Sequence, residues 1–374
     1  MADLKNFLKR LSAAQIVFSL ITIFSLLLYL LLTLWWKGQE KDLVDQQAAD
    51  RWGGDEYAQV SCFVTRDVIL DDFSIRNFEN QLTKALAEAA VTLEDDQENG
   101  PGKQQETEES KRLFIDAYSA PGKVTLVSEQ ATLEADAIGI GNDFFYFHPL
   151  QLVDGRYFSE NELMTDFVIV DEDAAWQLFG SNDISGMTVM IGGVQHTIAG
   201  VVKRDESRMA KNAGLTKTLV YVSVETLGDY GVSEGVNCYE VVAPNPVKGF
   251  VAKTVREKFG PKEDQMTVVE NSSRYSVESM IPVILDFGTR SMQNAAIHYP
   301  YFENIARGYE DIRAVVLIFQ FLFLLIPGVI ILVFLIIKWK HRKYTTRDLI
   351  RILMDKKDRA LEKARAEKDK WKDF

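Results

Sequence analysis

The chain has 374 residues, of which 47% are hydrophobic and 26% charged, and its 42 Lys+Arg against 54 Asp+Glu give a formal net charge of −12. This is the composition of a folded protein, which excludes a disordered chain, a collagen and a small disulfide-rich scaffold. The acidic balance argues against a nucleic-acid partner, because an acidic surface repels phosphate.

The first feature along the chain is a long apolar run. After a short N-terminal segment (1–12), residues Ile16 to Trp36 carry no charge. A helix of this length is about 30 Å long, enough to cross the hydrocarbon core of a bilayer. The run is too long for the apolar part of a signal peptide, and Trp35-Trp36-Lys37 is a poor cleavage site. The sequence therefore predicts that residues 13–36 form an uncleaved transmembrane helix.

A large segment of mixed α and β pattern follows, from residue 37 to 313. Alternating apolar residues predict a strand at Gln59–Thr65, and three- and four-residue spacing predicts a helix over Phe73–Val91. Residues 94–110 are rich in Asp and Glu and lack a large apolar residue, which predicts a mobile acidic loop.

Two glycine-containing segments then predict turns. Arg112–Tyr118 and Lys123–Val127 read as a strand pair around Ala120-Pro121-Gly122-Lys123. Gly139–Asp143 reads as a tight turn before a packed aromatic run, Phe144–Phe147. It resembles a phosphate loop only superficially, because no Lys-Ser/Thr pair follows.

The clearest pattern of predicted secondary structure lies in residues 154–202. Residues 154–159 predict a turn into a short helix, and Phe167–Val170 predict a buried strand. The helix that follows, Ala174–Phe179, would be capped by Asp171 or Asp173 and ended by Gly180. Beyond it, the pattern predicts a hairpin that begins at Gly186, with strands Met187–Ile191 and His196–Val202 and a turn at Gly192-Gly193.

The rest of the large segment continues the mixed pattern. It predicts strands at Leu219–Val224, Cys238–Val242 and Met266–Glu270, a helix at Val247–Phe259 and an interrupted helix from Val277 to Ile312. Two cysteines, Cys62 and Cys238, fall on predicted strands. The spacing leaves a disulfide open, and two buried free thiols are slightly favoured.

A second apolar run, residues 314–337, predicts another transmembrane helix. The following tail, 338–374, has 14 Lys+Arg and 7 Asp+Glu, whereas residues 37–313 have 25 and 46. Because Lys and Arg concentrate on the cytoplasmic side, both termini are expected inside and residues 37–313 outside. In the tail, a capping box precedes the apolar residues Leu349, Ile350, Leu353 and Met354. These could dock on a cytoplasmic partner, although a basic helix held near anionic lipid is the simpler interpretation.

Motifs for chemistry are absent from the sequence. The four histidines are scattered without ligand spacing, and neither G-x-S-x-G nor H-E-x-x-H occurs. No catalytic, cofactor-binding or metal-binding residue is therefore assigned, and the chain is not expected to be an enzyme.

An ordered set of short motifs resembles the MacB-like periplasmic core domain of MacB/FtsX-type ABC transporter permeases. The motifs lie in 154–202, and their characteristic residues are Gly155, Arg156, Phe158, Trp176, Phe179, Gly180, Gly186 and Gly200. The resemblance implies an α+β fold, a mixed α/β domain of two lobes outside the membrane (second lobe about 139–225) between two transmembrane helices. It also implies a bacterial plasma membrane location.

The same resemblance implies a non-catalytic subunit that couples a cytoplasmic ATPase to movement of the external domain, for export or envelope processes. Its partners would be membrane lipid, an ABC ATPase, a related permease subunit and a further copy. ATP would be bound by another chain, since no G-x-x-x-x-G-K-[ST] occurs. Family members usually have four spans, and Lys338–Tyr344 stands where an E-R-T-x-E-I-G-like segment is common. These departures favour the alternative, a stand-alone binding or scaffold protein.

Overall fold

The computed structural model describes residues 13–89, 112–158, 166–290 and 297–340, with 354, 356 and 357. The chain divides into two compact units, Met1–Trp35 with Ile318–Phe374, and Trp36–Leu317. The predicted acidic loop at 94–110 and the N-terminal segment 1–12 lie outside the described residues.

The second unit is built on one mixed sheet. Its strands are β1 (Tyr57–Val64), β2 (Ile115–Val127), β3 (Thr132–Asn142), β4 (Leu152–Gly155), β5 (Phe167–Asp171), β6 (Thr188–Ile191), β7 (Val194–Val202), β8 (Leu219–Ser223), β9 (Val232–Ser233), β10 (Cys238–Pro244) and β11 (Met266–Glu270). The order of the strands in the sheet is β11-β1-β10-β2-β3-β8-β5-β7-β4, with β6 and β9 pairing off this path. The pairs β3–β8 and β5–β7 are parallel and the others antiparallel.

Ten α-helices are described, two of them long and apolar. The helices are α1 (Ala13–Lys41), α2 (Ala48–Trp52), α3 (Asp72–Glu88), α4 (Phe144–Phe147), α5 (Glu172–Phe179), α6 (Arg208–Asn212), α7 (Val224–Tyr230), α8 (Phe250–Lys258), α9 (Val277–Leu285) and α10 (Tyr301–Lys340). The expected fold class, a mixed α/β domain with an apolar helix at each end, is confirmed.

Part of the sheet closes on itself. Strand β6 pairs with both β7 and β2, so β2-β3-β8-β5-β7-β6 form a complete ring. The ring takes strands from residues 115 to 223 and includes most of the predicted second lobe, 139–225. Strand β2 joins the ring to β10, and β7 joins it to β4.

The two faces of the open part of the sheet are covered by different elements. On one face, Val60 and Cys62 of β1 belong to a buried cluster with residues of α3 and α8. On the other face, Phe63 belongs to a second cluster with α2, α4 and Phe302 at the start of α10. Side chains alternate across a strand, so successive residues of β1 pack against different helices.

The predicted strand pair around Pro121 is wrong, because residues 115–127 form the single strand β2. Proline has no N–H to donate, and Pro121 lies where the edge of β2 passes from β10 to β9. Its carbonyl still accepts a hydrogen bond from the Glu234 N–H (2.9 Å). A proline is tolerated at a gap in pairing, which the sequence pattern does not reveal.

Two other predicted turns are also strands. Gly139 and Gly141 lie inside β3, where a Cβ on Gly141 would be 2.2 Å from the Tyr118 ring. These glycines make room for a large neighbour and do not turn the chain. Likewise, Asp154 and Gly155 end strand β4, and the short helix predicted after residue 158 lies outside the described residues. The aromatic run Phe144–Phe147 is packed as expected, since Phe144 and Phe147 are buried.

Helices α1 and α10 both pass the length and hydropathy test for a membrane span. Their apolar windows are only 6% and 11% buried, whereas the core helix of a soluble protein would be mostly covered. Two polar contacts join them. The Ser25 hydroxyl donates to the Phe323 carbonyl (2.5 Å), and the Gln320 amide donates to the Thr33 hydroxyl (2.9 Å). Such bonds are a common means of holding membrane helices together.

Candidate functional site

A buried network of charged side chains lies on the sheet face that the start of α10 covers. Four of its groups are almost inaccessible to solvent: Arg274, Glu303, Glu240 and His148. Burying a charge is unfavourable unless it is paired and hydrogen-bonded. We define the ion network as these four residues with Asp45, Ser61, Asn271, Arg290, Glu310 and Asp311.

Arg274 is the centre of this ion network. Its Nη1 and Nη2 donate to the two carboxylate oxygens of Glu303, each at 2.7 Å, and its Nε donates to Glu310 Oε1 at 2.5 Å. Burial by itself lowers the pKa of Arg274, but the charge and hydrogen bonds of Glu303, with smaller effects from Tyr275 and Glu240, together outweigh burial and raise the pKa. A bidentate Arg–carboxylate pair fixes both partners in one geometry. The Arg274–Glu303 pair therefore holds α10 in a defined position against residues 271–274.

His148 connects the network to the sheet. Its Nε2 lies 2.5 Å from Glu240 Oε2 on β10, and its Nδ1 lies 3.3 Å from Asp45 Oδ1. The other oxygen of Glu240 accepts a bond from the Ser61 hydroxyl (2.6 Å), which in turn accepts from the Asn271 amide (2.7 Å). Asn271 Oδ1 accepts from Arg274, so the hydrogen bonds run without a gap from β10 to α10.

A second arginine extends the network outward. Arg290 donates to both Glu310 and Asp311, which are neighbours on α10. Glu303 and Glu310 are seven residues apart, which places them on the same face of the helix. The part of α10 that precedes the candidate span is therefore attached to the domain by four salt bridges: Arg274–Glu303, Arg274–Glu310, Arg290–Glu310 and Arg290–Asp311.

The charge on His148 predicts a pH dependence of stability. Burial alone lowers the pKa of His148, but Glu240 and Asp45 raise it from 6.5 to about 9. The folded protein then binds this proton more tightly than the unfolded chain does. The stabilisation is complete below about pH 6.5 and is lost as the pH rises through about 9.

We therefore expect the denaturant midpoint of the detergent-solubilised chain to fall between about pH 6.5 and pH 9, and to fall less in His148→Gln. The matched control is His298→Gln, which replaces an exposed histidine outside the ion network. A His148→Gln variant with an unchanged pH dependence would contradict a charged imidazole in the network.

A cavity of about 590 Å³ lies on the same side of the domain. Asp45 contributes to both the network and the cavity wall, and the tyrosines Tyr221 and Tyr301 face each other there with their hydroxyls 3.1 Å apart. The volume is in the range of small-molecule sites.

The glycines of the 154–202 motif mark a close approach of two strands. Gly155 of β4 is paired with Gly200 of β7. A Cβ on Gly155 would lie 2.2 Å from the Ala199 carbonyl oxygen, and one on Gly200 would lie 2.8 Å from the Arg156 carbonyl oxygen. Gly155 also has a φ of +75°. Both positions therefore need glycine to bring β4 against β7.

The remaining motif residues lie around the same strands. Asp171 caps α5 by accepting from the Ala174 N–H (2.8 Å), and Gly180 ends α5 in the left-handed conformation, as expected. Phe158 is buried, whereas Trp176 is 59% exposed and lies outside the core. The further positions are Arg156, stacked over the Phe167 ring; Phe179, partly buried against the core; and Gly186, with a φ of +84°.

The hairpin from β6 to β7, with its turn at Gly192 and Gly193, is confirmed. The tail residues Leu349, Ile350 and Leu353 lie outside the described residues, and Met354 is exposed. Cys62 and Cys238 are free, and they belong to clusters on opposite faces of the sheet. Among the described residues, no group of His, Cys, Asp and Glu could hold a metal ion.

The ion network has almost no signature in the sequence. Its one available signal is the seven-residue spacing of Glu303 and Glu310 ahead of an apolar run. Nothing in the local pattern around Arg274, Glu240 or His148 indicates burial, because the elements that cover these side chains come from distant parts of the chain.

Part of this chain resembles a known protein family. Residues 73–256 match the family described as MacB-like periplasmic core domain. The macrolide export ATP-binding/permease protein MacB of Neisseria gonorrhoeae is 30% identical over 102 residues, which cover 27% of this chain and 16% of that protein. The protein of the same name from Agrobacterium fabrum is 27% identical over 150 residues, covering 38% of this chain and 23% of that protein. The chain thus spans less than a quarter of the length of these relatives.

Solved structures of related domains show weaker likeness. The periplasmic region of MacB from Actinobacillus actinomycetemcomitans is 18% identical with a TM-score of 0.38, covering 60% of this chain and 92% of that one. The extracellular domain of the noncanonic ABC-type transporter YknZ from Gram-positive bacteria is 17% identical with a TM-score of 0.33, covering 56% and 99%.

Proposed function

From the premise that this chain is a MacB-like permease-family protein with its MacB-like periplasmic core domain at residues 73–256, we propose that it is a non-catalytic membrane subunit. In this proposal, a separate cytoplasmic ATPase drives a movement that the chain passes to its external domain, for export or an envelope process. ATP would be bound by that other chain, because this sequence has no G-x-x-x-x-G-K-[ST].

The ion network is the observation that supports this proposal most. Helix α10 is continuous from Tyr301 to Lys340 and contains the second candidate span. Its first residues are bound to the domain through Glu303, Glu310 and Asp311. Separating these groups would leave buried charges unpaired, which is strongly unfavourable. A displacement of the start of α10 would therefore carry the sheet with it as one body.

We further propose a bacterial inner membrane location with both termini in the cytoplasm and residues 37–313 outside. The charge asymmetry of the sequence supports this orientation. The external domain would pair with a second copy or a related permease chain. Lipid would surround the two spans, and nucleic acid is not expected as a partner.

The orientation predicts which thiols are accessible in intact cells. In the variant Asp55→Cys, a membrane-impermeant maleimide should label the protein without permeabilisation, whereas Lys5→Cys should be labelled only after it. The native Cys62 and Cys238 give no background, because both are buried. The reverse pattern, or labelling of both variants in intact cells, would contradict the proposed topology.

The ATPase partner can be tested through the cytoplasmic tail. When the full chain is purified in mild detergent from the organism that makes it, we expect a protein carrying G-x-x-x-x-G-K-[ST] to co-purify. The double variant Ile350→Asp, Leu353→Asp should lose most of that protein, because it breaks the apolar stripe of the predicted tail helix.

The matched control is Lys356→Asp with Lys357→Asp, which changes charge in the same tail and leaves the stripe intact. It should retain the ATPase. Purification of the native chain without any ATP-binding protein would contradict the coupling function.

One observation favours a second candidate function, a stand-alone binding protein. The cavity of about 590 Å³ beside the network is large enough for a small ligand. Under this alternative, the chain would keep its fold and its cavity and purify without an ATPase. The same purification therefore distinguishes the two functions.

A further inference from the structure

Helix α9 exposes an apolar stripe that the described residues of the domain leave uncovered. Val277, Ile281 and Leu285 are 62%, 51% and 77% exposed, and Phe287 just beyond the helix is 50% exposed. The three helical residues are four apart and so lie on one side of α9. Met280 is the buried residue of this helix and attaches it to the domain. We call Val277, Ile281 and Leu285 the α9 stripe.

The position of α9 relates this stripe to the membrane. Tyr275, two residues before α9, packs edge-on against the Trp36 ring at 5.5 Å, and Arg313 lies 4.9 Å above the same ring. Trp36 ends the uncharged run of the first candidate span, and Arg313 directly precedes the second. Tryptophan at the end of a span concentrates at the interface between lipid and water. Helix α9 therefore starts beside two residues that mark this interface.

The composition of α9 fits the same location. Glu278 is the one charged residue in the nine-residue helix, and it pairs with Lys248 at 2.6 Å. By angle, Glu278 lies at the edge of the stripe and Ser279 lies on the opposite side of the helix. A short helix that exposes an apolar stripe can bury this stripe in the boundary between headgroups and acyl chains.

We propose that α9 is an interfacial helix whose stripe is immersed in the leaflet on the domain side of the membrane. Its partner is the lipid surface. A second copy of the chain is the competing occupant, but the contacts of Tyr275 with Trp36 connect the stripe to the membrane and not to another protein. This inference does not depend on whether an ATPase is coupled to the chain.

The test uses the full chain, one copy per lipid nanodisc, with a polarity-sensitive fluorophore on a single introduced cysteine. The variants are Ile281→Cys and Leu285→Cys, and the control is Val232→Cys, an equally exposed apolar position on β9. Cys62 and Cys238 are buried, and burial raises the pKa of Cys62 to about 12, so neither thiol should react.

We expect both α9 labels to have blue-shifted emission. Nitroxide-labelled phosphatidylcholine should quench them several-fold more strongly than it quenches the Val232→Cys label. Quenching equal to that control would overturn the proposal, whether the α9 label is exposed to water or is covered by protein. Blue-shifted emission without lipid quenching would identify a protein occupant and would likewise overturn it.

Discussion

Replacing Arg274 by Met is expected to lower the free energy of unfolding by about 3–5 kcal/mol, which is the usual effect of leaving a buried ion-pair partner without its counter-charge. Arg274 is 4% exposed and makes three bonds of 2.5 to 2.7 Å to Glu303 and Glu310. Methionine fills much of the same volume but cannot neutralise the charge of either carboxylate. The measurement is denaturant unfolding of the full chain in detergent, followed by near-UV circular dichroism.

The matched control for this prediction is an exposed arginine in a similar pair. Arg76 lies 2.9 Å from Asp72, and both side chains are more than half exposed. Arg76→Met should change the free energy of unfolding by at most about 0.5 kcal/mol. An equal loss in the two variants would show that the ion network does not hold the domain together.

A double variant distinguishes the effect of losing the ion pairs of Arg274 from the effect of losing its side-chain packing. Adding Glu303→Leu to Arg274→Met removes one of the two carboxylates that the single variant leaves without Arg274. Glu310 keeps Arg290 as a partner. The double variant should therefore be more stable than Arg274→Met alone. If it is less stable, packing around Arg274 matters more than its charge.

Replacing Gly155 by Ala is expected to lower the free energy of unfolding by about 2–6 kcal/mol. This range combines about 1–3 kcal/mol for a strained backbone with about 1–3 kcal/mol for overpacking. The new Cβ would overlap the Ala199 carbonyl oxygen at 2.2 Å, and backbone atoms cannot move aside as a flexible side chain would. Thermal unfolding of the full chain gives the measurement.

Gly180→Ala is the control that isolates the backbone effect. Gly180 also has a positive φ, +69°, but a Cβ there would meet no atom within 4 Å. Its loss should be about 1 kcal/mol, the cost of placing alanine in the left-handed conformation. Equal losses at both glycines would show that the close approach of β4 and β7 is not needed.

The segment from β5 to β7 could be predicted from the sequence because its signals are local. Asp171 caps α5 through the Ala174 N–H, and Gly180 supplies the left-handed residue that ends α5. Gly192 and Gly193 likewise supply the positive φ values that a two-residue hairpin turn requires. The helix cap, the helix end and the hairpin turn each depend on residues a few positions apart, so the local sequence is enough to predict them.

Long-range geometry explains what the sequence did not reveal. The local pattern predicts a turn at Pro121, because the tolerance of a proline inside β2 depends on the gap between β9 and β10, more than a hundred residues later in the chain. The ion network joins β10, residues 271–274 and α10, and a charged residue carries no local mark of burial. The ring closure by β6 also depends on a pairing, Leu126 with Ile191, that no turn specifies.

The placement of Cys62 and Cys238 on opposite faces of the sheet has a consequence for biogenesis. The sheet itself separates the two sulfurs, so they cannot join without dismantling β1 and β10. Since these are the chain's two cysteines, folding requires neither a thiol oxidase nor a disulfide isomerase. The domain that contains both strands should reach the same native state in reducing and oxidising surroundings.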